Sequence, residues 1–252
     1  MTHPRDSFSP FIERRPNGRR LVIPDIHGCA RTFTALLQRV GLQPEDQLFL
    51  LGDYIDRGPD SGGVLDKIMQ LQADGYAVYP LRGNHEQYLL EAYEYYNAAT
   101  FRQYLTMNEC AGLLDARGDL VPAYRHFIAN LPYYYELDEF YLVHAGFQWS
   151  ANAPYSPEVF EPGRPMLEVR DFRATPIQTR NKRVVHGHQV TNLVDIERSI
   201  AQKNTVIPLD NGCCFAHMGQ EYLTLGSVVV GNLCCLELDT LTLIRQPNVD
   251  YD

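Results

Sequence analysis

Five short stretches carry the side chains that could do chemistry. They are Asp25-Ile26-His27-Gly28, Gly52-Asp53-Tyr54-Ile55-Asp56-Arg57-Gly58, Arg82-Gly83-Asn84-His85-Glu86, His144-Ala145-Gly146 and His186-Gly187-His188. Five of the chain's eight histidines fall within them. Aspartates supply negative charge and bridging oxygens, and neutral imidazoles suit first-row transition metals. Carboxylates and imidazoles converging without a cation would repel one another and strand polar atoms. Two divalent ions about 3.5–4 Å apart remove that conflict and form a device for hydrolysing phosphate esters. The glycines of these stretches permit sharp turns and close backbone approach.

Each stretch follows an apolar run that reads as a strand, at 20–24, 48–51, 76–81, 140–143 and 183–185. Leu36, Leu37 and Val40 mark one face of a helix that stops at Gly41. A second helix follows Ser61, carries Val64, Leu65, Ile68, Met69 and Leu71, and ends at Gly75. Strand and helix alternating at this pitch predict parallel strands with right-handed crossovers, an α/β fold. In such a sheet the carboxyl ends of the strands line one crevice. From Thr205 onwards, runs at 206–209, 222–230, 233–238 and 241–245 suggest antiparallel strands forming a second sheet. The expected architecture is a layered α/β/β/α sandwich of two mixed sheets flanked by helices, in one domain over 1–252. Residues 86–135 read as a tyrosine-rich helical insertion, and 151–179 as an irregular, proline-broken segment over the site.

Composition narrows the classes. The 252 residues carry 22 Lys and Arg against 31 Asp and Glu, a net charge of −9, which disfavours nucleic acid duplexes as partners. Hydrophobic residues at 45% and charged residues at 21% are those of a globular chain. No run is long and apolar enough to span a bilayer, and residues 1–20 lack the apolar stretch of a signal peptide. The six cysteines form no CxxC pair and read as small buried residues in a reducing compartment. A cytoplasmic protein without a membrane partner is expected; the oligomeric state is not legible. GxxxxGK[ST] and GxSxG are both absent, which excludes a P-loop and a nucleophile elbow.

PDIHG, GDYIDRG, RGNHE, VHAG and HGHQV, in this order from Asp25 to His188, resemble the signature blocks of the metal-dependent phosphoprotein phosphatases. That family belongs to the calcineurin-like metallophosphoesterases. Pro24 stands where the family most often has glycine. The resemblance implies that Asp25 and His27 bind a first metal, that Asp53 bridges both, and that Asn84, His144 and His188 bind the second. It implies a metal-bridging hydroxide as in-line nucleophile, His85 as general acid oriented by Asp56, and Arg57 as a phosphate-holding arginine. A second such arginine is expected between the fourth and fifth blocks: Arg170, with Arg173 and Arg180 as rivals. Mn²⁺ is the ion that bacterial relatives imply, and Fe or Zn²⁺ would also suit the ligands.

The leading reading is a phosphatase of phosphoserine or phosphothreonine in a protein or peptide. The alternative is a symmetrical dinucleoside tetraphosphate hydrolase or other nucleotide phosphatase; a small phosphorylated metabolite as substrate is also open. A catalytically dead scaffold that binds phosphorylated partners is opposed by retention of every ligand and of His85 with Asp56. Blander roles are open as well. Asp25 and Asp53 could be helix N-caps, Arg82 and Glu86 loop pins, and the tyrosines of 88–135 helix packing or a base-stacking platform. His186 could steady the backbone or a ligand, and His3, His126 and His217 lie outside every block.

Overall fold

The structure, a computed structural model, describes residues 11–149, 160–217 and 229–251. Residues 151–159 of the irregular segment, 222–228 of an expected strand and His3 lie outside them. The first expected elements are present as β1 (Arg20–Ile23), α1 (Ala30–Val40), β2 (Gln47–Leu50), α2 (Ser61–Ala73) and β3 (Ala77–Pro80). β1 pairs with β2, and β2 with β3, both in parallel. The 86–135 stretch holds α3 (Asn84–Tyr95), α4 (Ala98–Met107), a short 3-10 turn at Ala111–Leu113, α5 (Pro122–Ala129) and the start of β4 (Tyr134–Glu136). β5 (Phe140–Val143), α6 (Pro165–Glu168), β6 (Arg183–His186), α7 (Leu193–Ala201) and β7 (Val206–Pro208) follow, then β8 (Asn232–Glu237) and β9 (Thr242–Pro247).

The expected sandwich forms, but the last strands take a different place. One sheet runs β3-β2-β1-β8-β9 and the other β4-β5-β6-β7. β8 and β9 are antiparallel, as expected, yet they extend the first sheet, β8 pairing directly with β1. β7 joins the second sheet in parallel with β6. The second sheet is therefore built from the middle of the chain. A strand buried on both faces carries a continuous apolar run that names no partner. β8 is such a strand, and the open edge of β1 receives it.

The faces of the first sheet divide by the pleat. Leu21, Ile23, Leu48, Leu50, Leu233 and Cys235 pack toward α1, α2 and the helices of the insertion. Val22, Phe49, Leu51, Cys234 and Leu236 meet Tyr135, Leu142, Val185 and Ile207 of the second sheet. The outer face of that second sheet is covered mainly by aromatic packing, with Tyr141, Phe147 and Phe172 against Phe160 and Trp149, and by the single turn of α6. All six cysteines are buried and unpaired. Among the described residues no helix is long and apolar enough to cross a membrane.

Candidate active site

The loops at the carboxyl ends of β1, β2, β3, β5 and β6 converge, so both sheets feed one cluster. Asp53 is its hub. Its Oδ2 lies 3.5 Å from His27 Nε2, 3.5 Å from His144 Nε2 and 3.9 Å from His85 Nε2. Its Oδ1 accepts the His85 backbone N–H at 3.0 Å. Burial opposes its ionisation, but the imidazoles of His144, His85 and His27 and that backbone N–H hold its carboxyl below the usual range.

The rings are oriented from behind. His27 Nδ1–H donates to the Ile55 carbonyl and His144 Nδ1–H to the Leu51 carbonyl, each at 2.9 Å. Each Nε2 then carries a lone pair directed into the cluster. That of His144 faces two acceptor oxygens, Asp53 Oδ2 and Asn84 Oδ1, the latter at 2.9 Å. Asn84 Oδ1 also lies 2.9 Å from His188 Nδ1, and His188 Nε2 is buried without a hydrogen-bond partner. Burial pushes His27 and His188 down to about 3, and lowers His144, so these rings stay uncharged near neutral pH. Asp25 accepts the His188 N–H at 2.9 and 3.0 Å, and burial beside Asp210 and Asp53 raises its carboxyl.

Lone pairs turned toward one another in a buried pocket fit a cation between them. Among the described residues two groups of side chains offer such a place, His27 with Asp53 and His85, and Asp53 with His144 and His188. In each, the ligand atoms lie within 4.8 Å of one another. Asp53 belongs to both groups. His85, expected only as an acid, is thus also at ligand distance. Neither Asp25 nor Asp53 caps a helix: Cys29 holds the N-cap position of α1, and α2 is capped by the Asp60 side chain.

His85 Nδ1–H donates to Asp56 Oδ2 at 2.5 Å. Burial would lower the His85 pKa, but Asp53 and Asp56 raise it above the ordinary value. Asp56 is held in turn from the insertion and from α2: its Oδ1 accepts the Cys110 S–H at 2.6 Å, and its N–H donates to Ser61 Oγ at 3.0 Å. The Arg57 guanidinium reaches His27 Nε2 at 2.9 Å and His85 Nε2 at 3.1 Å, with its carbon 5.4 Å from the Phe215 ring centre. Arg170 is exposed and near enough to His188 for its charge to oppose protonation of that ring. Arg173 lines a cavity with His186 and Gln189, and Arg180 another with Asp138 and Glu139. His186 turns from the cluster, its Nδ1 3.0 Å from the Gly187 carbonyl and its ring against Phe172.

The backbone is bent hard to achieve this. His27, Asp53, Asp56, Arg57 and His188 have φ of 47°, 51°, 70°, 67° and 63°, five of the eleven non-glycine residues described as left-handed. Such strain persists only where the surroundings over-determine it. Glu86 is one such determinant: fully buried, it accepts the backbone N–H groups of Asp53, Tyr54 and Gly83 at 2.9, 2.8 and 2.9 Å. Gly83 is needed for contact, since a Cβ there would lie 2.1 Å from Asp53 Oδ1.

Residues 18–217 match the family model described as calcineurin-like phosphoesterase. The chain belongs to the calcineurin-like phosphoesterases. A symmetrical bis(5'-nucleosyl)-tetraphosphatase of Acidovorax sp. (strain JS42) is 34% identical over 157 residues, 60% of this chain and 52% of the relative. The chain spans about half the length of the curated relatives it matches. In fold it is similar to a crystal structure provisionally assigned as a diadenosine tetraphosphatase, with a TM-score of 0.59, 21% identity and 96% and 99% of the two chains covered. It also resembles a protein serine/threonine phosphatase from Saccharomyces cerevisiae, with a TM-score of 0.62, 15% identity and 95% and 83% coverage.

Within this calcineurin-like phosphoesterase, two contributors escaped the sequence reading. Asp210 is buried beside Asp25 and Asp53, and burial pushes its carboxyl up to about 6. It follows β7 as the other site residues follow their strands, so the same rule points to it. Cys110 comes from the insertion, and no local pattern marks it. Replacing Glu86 by Ala leaves three buried N–H groups without their acceptor, at a cost of at least about 3 kcal/mol. Urea unfolding of Glu86→Ala should show that loss, and an unchanged midpoint would contradict the pinning role.

Proposed function

We propose that the chain hydrolyses dinucleoside polyphosphates symmetrically, water cleaving the central P–O–P linkage of a dinucleoside tetraphosphate to give two nucleoside diphosphates. The phosphoryl-transfer chemistry rests on one observation above all: Asp53 joins two groups whose ligand atoms lie within 4.8 Å of one another, and in one of them the His144 lone pair meets two acceptor oxygens. The substrate class rests on the 34% identical relative and its name. The curated relatives support this alternative better than the phosphoprotein reading that led from the sequence.

In this reading Asp25 and His27 hold one ion, Asp53 holds both, and Asn84, His144 and His188 hold the other. The ions, when bound, supply positive charge that polarises the phosphoryl group and acidifies the attacking water. We take Mn²⁺ as the ion to test first. Arg57, and Arg170 at the cluster's rim, bind phosphate oxygens through their planar forks. Asp56 holds Nδ1–H of His85, so that Nε2 carries the proton given to the leaving oxygen. The His188 backbone N–H fixes the Asp25 carboxylate.

The direct test titrates metal-stripped protein with Mn²⁺ while following diadenosine tetraphosphate and a phosphoserine peptide in parallel. Two molecules of ADP per dinucleotide, faster than peptide turnover, are expected; asymmetric products or preferred peptide turnover would overturn the reading. His85→Asn separates the acid's role. A serine alkoxide leaves poorly without a proton, so activity on the peptide should fall about 10²–10⁴-fold. A nucleoside diphosphate leaves through a phosphate oxygen with a pKa of about 6, so activity on the dinucleotide should fall far less. Equal losses on the two substrates would remove His85 from the leaving-group side.

A further inference from the structure

A cavity of about 350 Å³ opens beside His85 and Asp56, walled by Tyr88, Tyr95, Tyr96 and Tyr104. On α3, His85, Tyr88, Ala92 and Tyr95 follow a three-and-four spacing that puts them on one stripe, running about 15 Å from His85. The Tyr88 ring lies 6.1 Å from the His85 ring, and its hydroxyl donates to Glu168 Oε1 at 3.0 Å. Tyr96 meets Tyr104 edge to face at 6.1 Å. Packing does not account for all of these rings. Tyr54, Tyr135 and Tyr141 are buried in the core, whereas Tyr95 and Tyr96 are 75% and 47% exposed at the cavity mouth. Exposed aromatic surface gathered beside a reaction centre marks a binding site.

The lining also limits the occupant. Its described residues include no Arg or Lys, and its carboxylates, Asp56 and Glu91, are engaged by His85 and Arg164, so a phosphate finds no guanidinium or ammonium of its own there. Phosphates belong at Arg57, and the cavity is suited to what lies beyond them. Every nucleobase presents a π-face that stacks on tyrosine, and stacking tolerates sequence. His85 stands at the boundary, on the side from which a leaving group departs.

We infer that the tyrosine cavity is a nucleoside subsite, receiving the ribose and base of the nucleoside diphosphate that leaves. This assignment rests on the dinucleoside reading, and its test is built to separate the two. The probes are ADP and inorganic pyrophosphate as competitive inhibitors of p-nitrophenyl phosphate hydrolysis by the Mn²⁺-loaded protein, with diadenosine tetraphosphate as a parallel substrate. Tyr96→Ala should raise the Ki of ADP relative to that of pyrophosphate by about 5- to 150-fold, the contribution of one stacked base. The KM of the dinucleotide should rise with it. Tyr96→Trp, which keeps a stacking face, should restore the wild-type ratio. If the Tyr95→Ala/Tyr96→Ala double variant leaves that ratio within twofold of wild type, the subsite is overturned even where dinucleotide cleavage stands. If the wild type fails to cleave the dinucleotide, the functional reading falls, and the ratio of the two inhibition constants still decides the subsite.

Discussion

The structure depends on a conflict that the Arg57 guanidinium eases at His27 and leaves standing at His144. Asp53 presents its carboxylate to imidazole nitrogens whose other ring N–H groups are already given to carbonyls. Buried, uncharged rings facing acceptor oxygens are unfavourable without positive charge among them. The fold holds them there regardless. Two sheets bring their strand ends to one place, Glu86 clamps three backbone N–H groups, and residues of the cluster adopt left-handed backbone. The cost is spread over a core buried on both faces of the first sheet.

Much of this was legible because parallel strands announce their carboxyl ends. An apolar run followed by Asp, His or Asn beside Gly locates both a strand and what it carries, and all five runs became strands. The N-cap reading of Asp25 and Asp53 failed because Cys29 and Asp60 occupy the caps. Sheet membership was less legible. Residues 232–237 are nearly all buried, so their pattern fits a central strand of either sheet, and only the free edge of β1 decides. Cys110 was invisible for a related reason. Its hydrogen bond to Asp56 joins residues 54 apart through the packing of the insertion, and no local period records it.

In the proposed reading, the insertion shapes what the centre accepts. The metal-fitting residues come from loops set by the sheets, whereas the walls beside His85 come from α3 and α4. Residues 160–171 reach the same neighbourhood from the other side, through Arg164 to Glu91 and Glu168 to Tyr88. In the proposed reading, catalysis and selection rest on separate parts of the chain, joined at His85. Its imidazole is fixed by Asp56, which Cys110 and Ser61 hold in place.

The central claim is that Asp53 serves two ions at once. Electron paramagnetic resonance of the protein titrated with Mn²⁺ measures this directly, since two Mn²⁺ ions sharing a carboxylate couple magnetically. The account predicts two ions per chain with a coupled spectrum in the wild type, and loss of the coupled signal in Asp53→Asn. One ion per chain, or two uncoupled ions unaffected by that substitution, would contradict it.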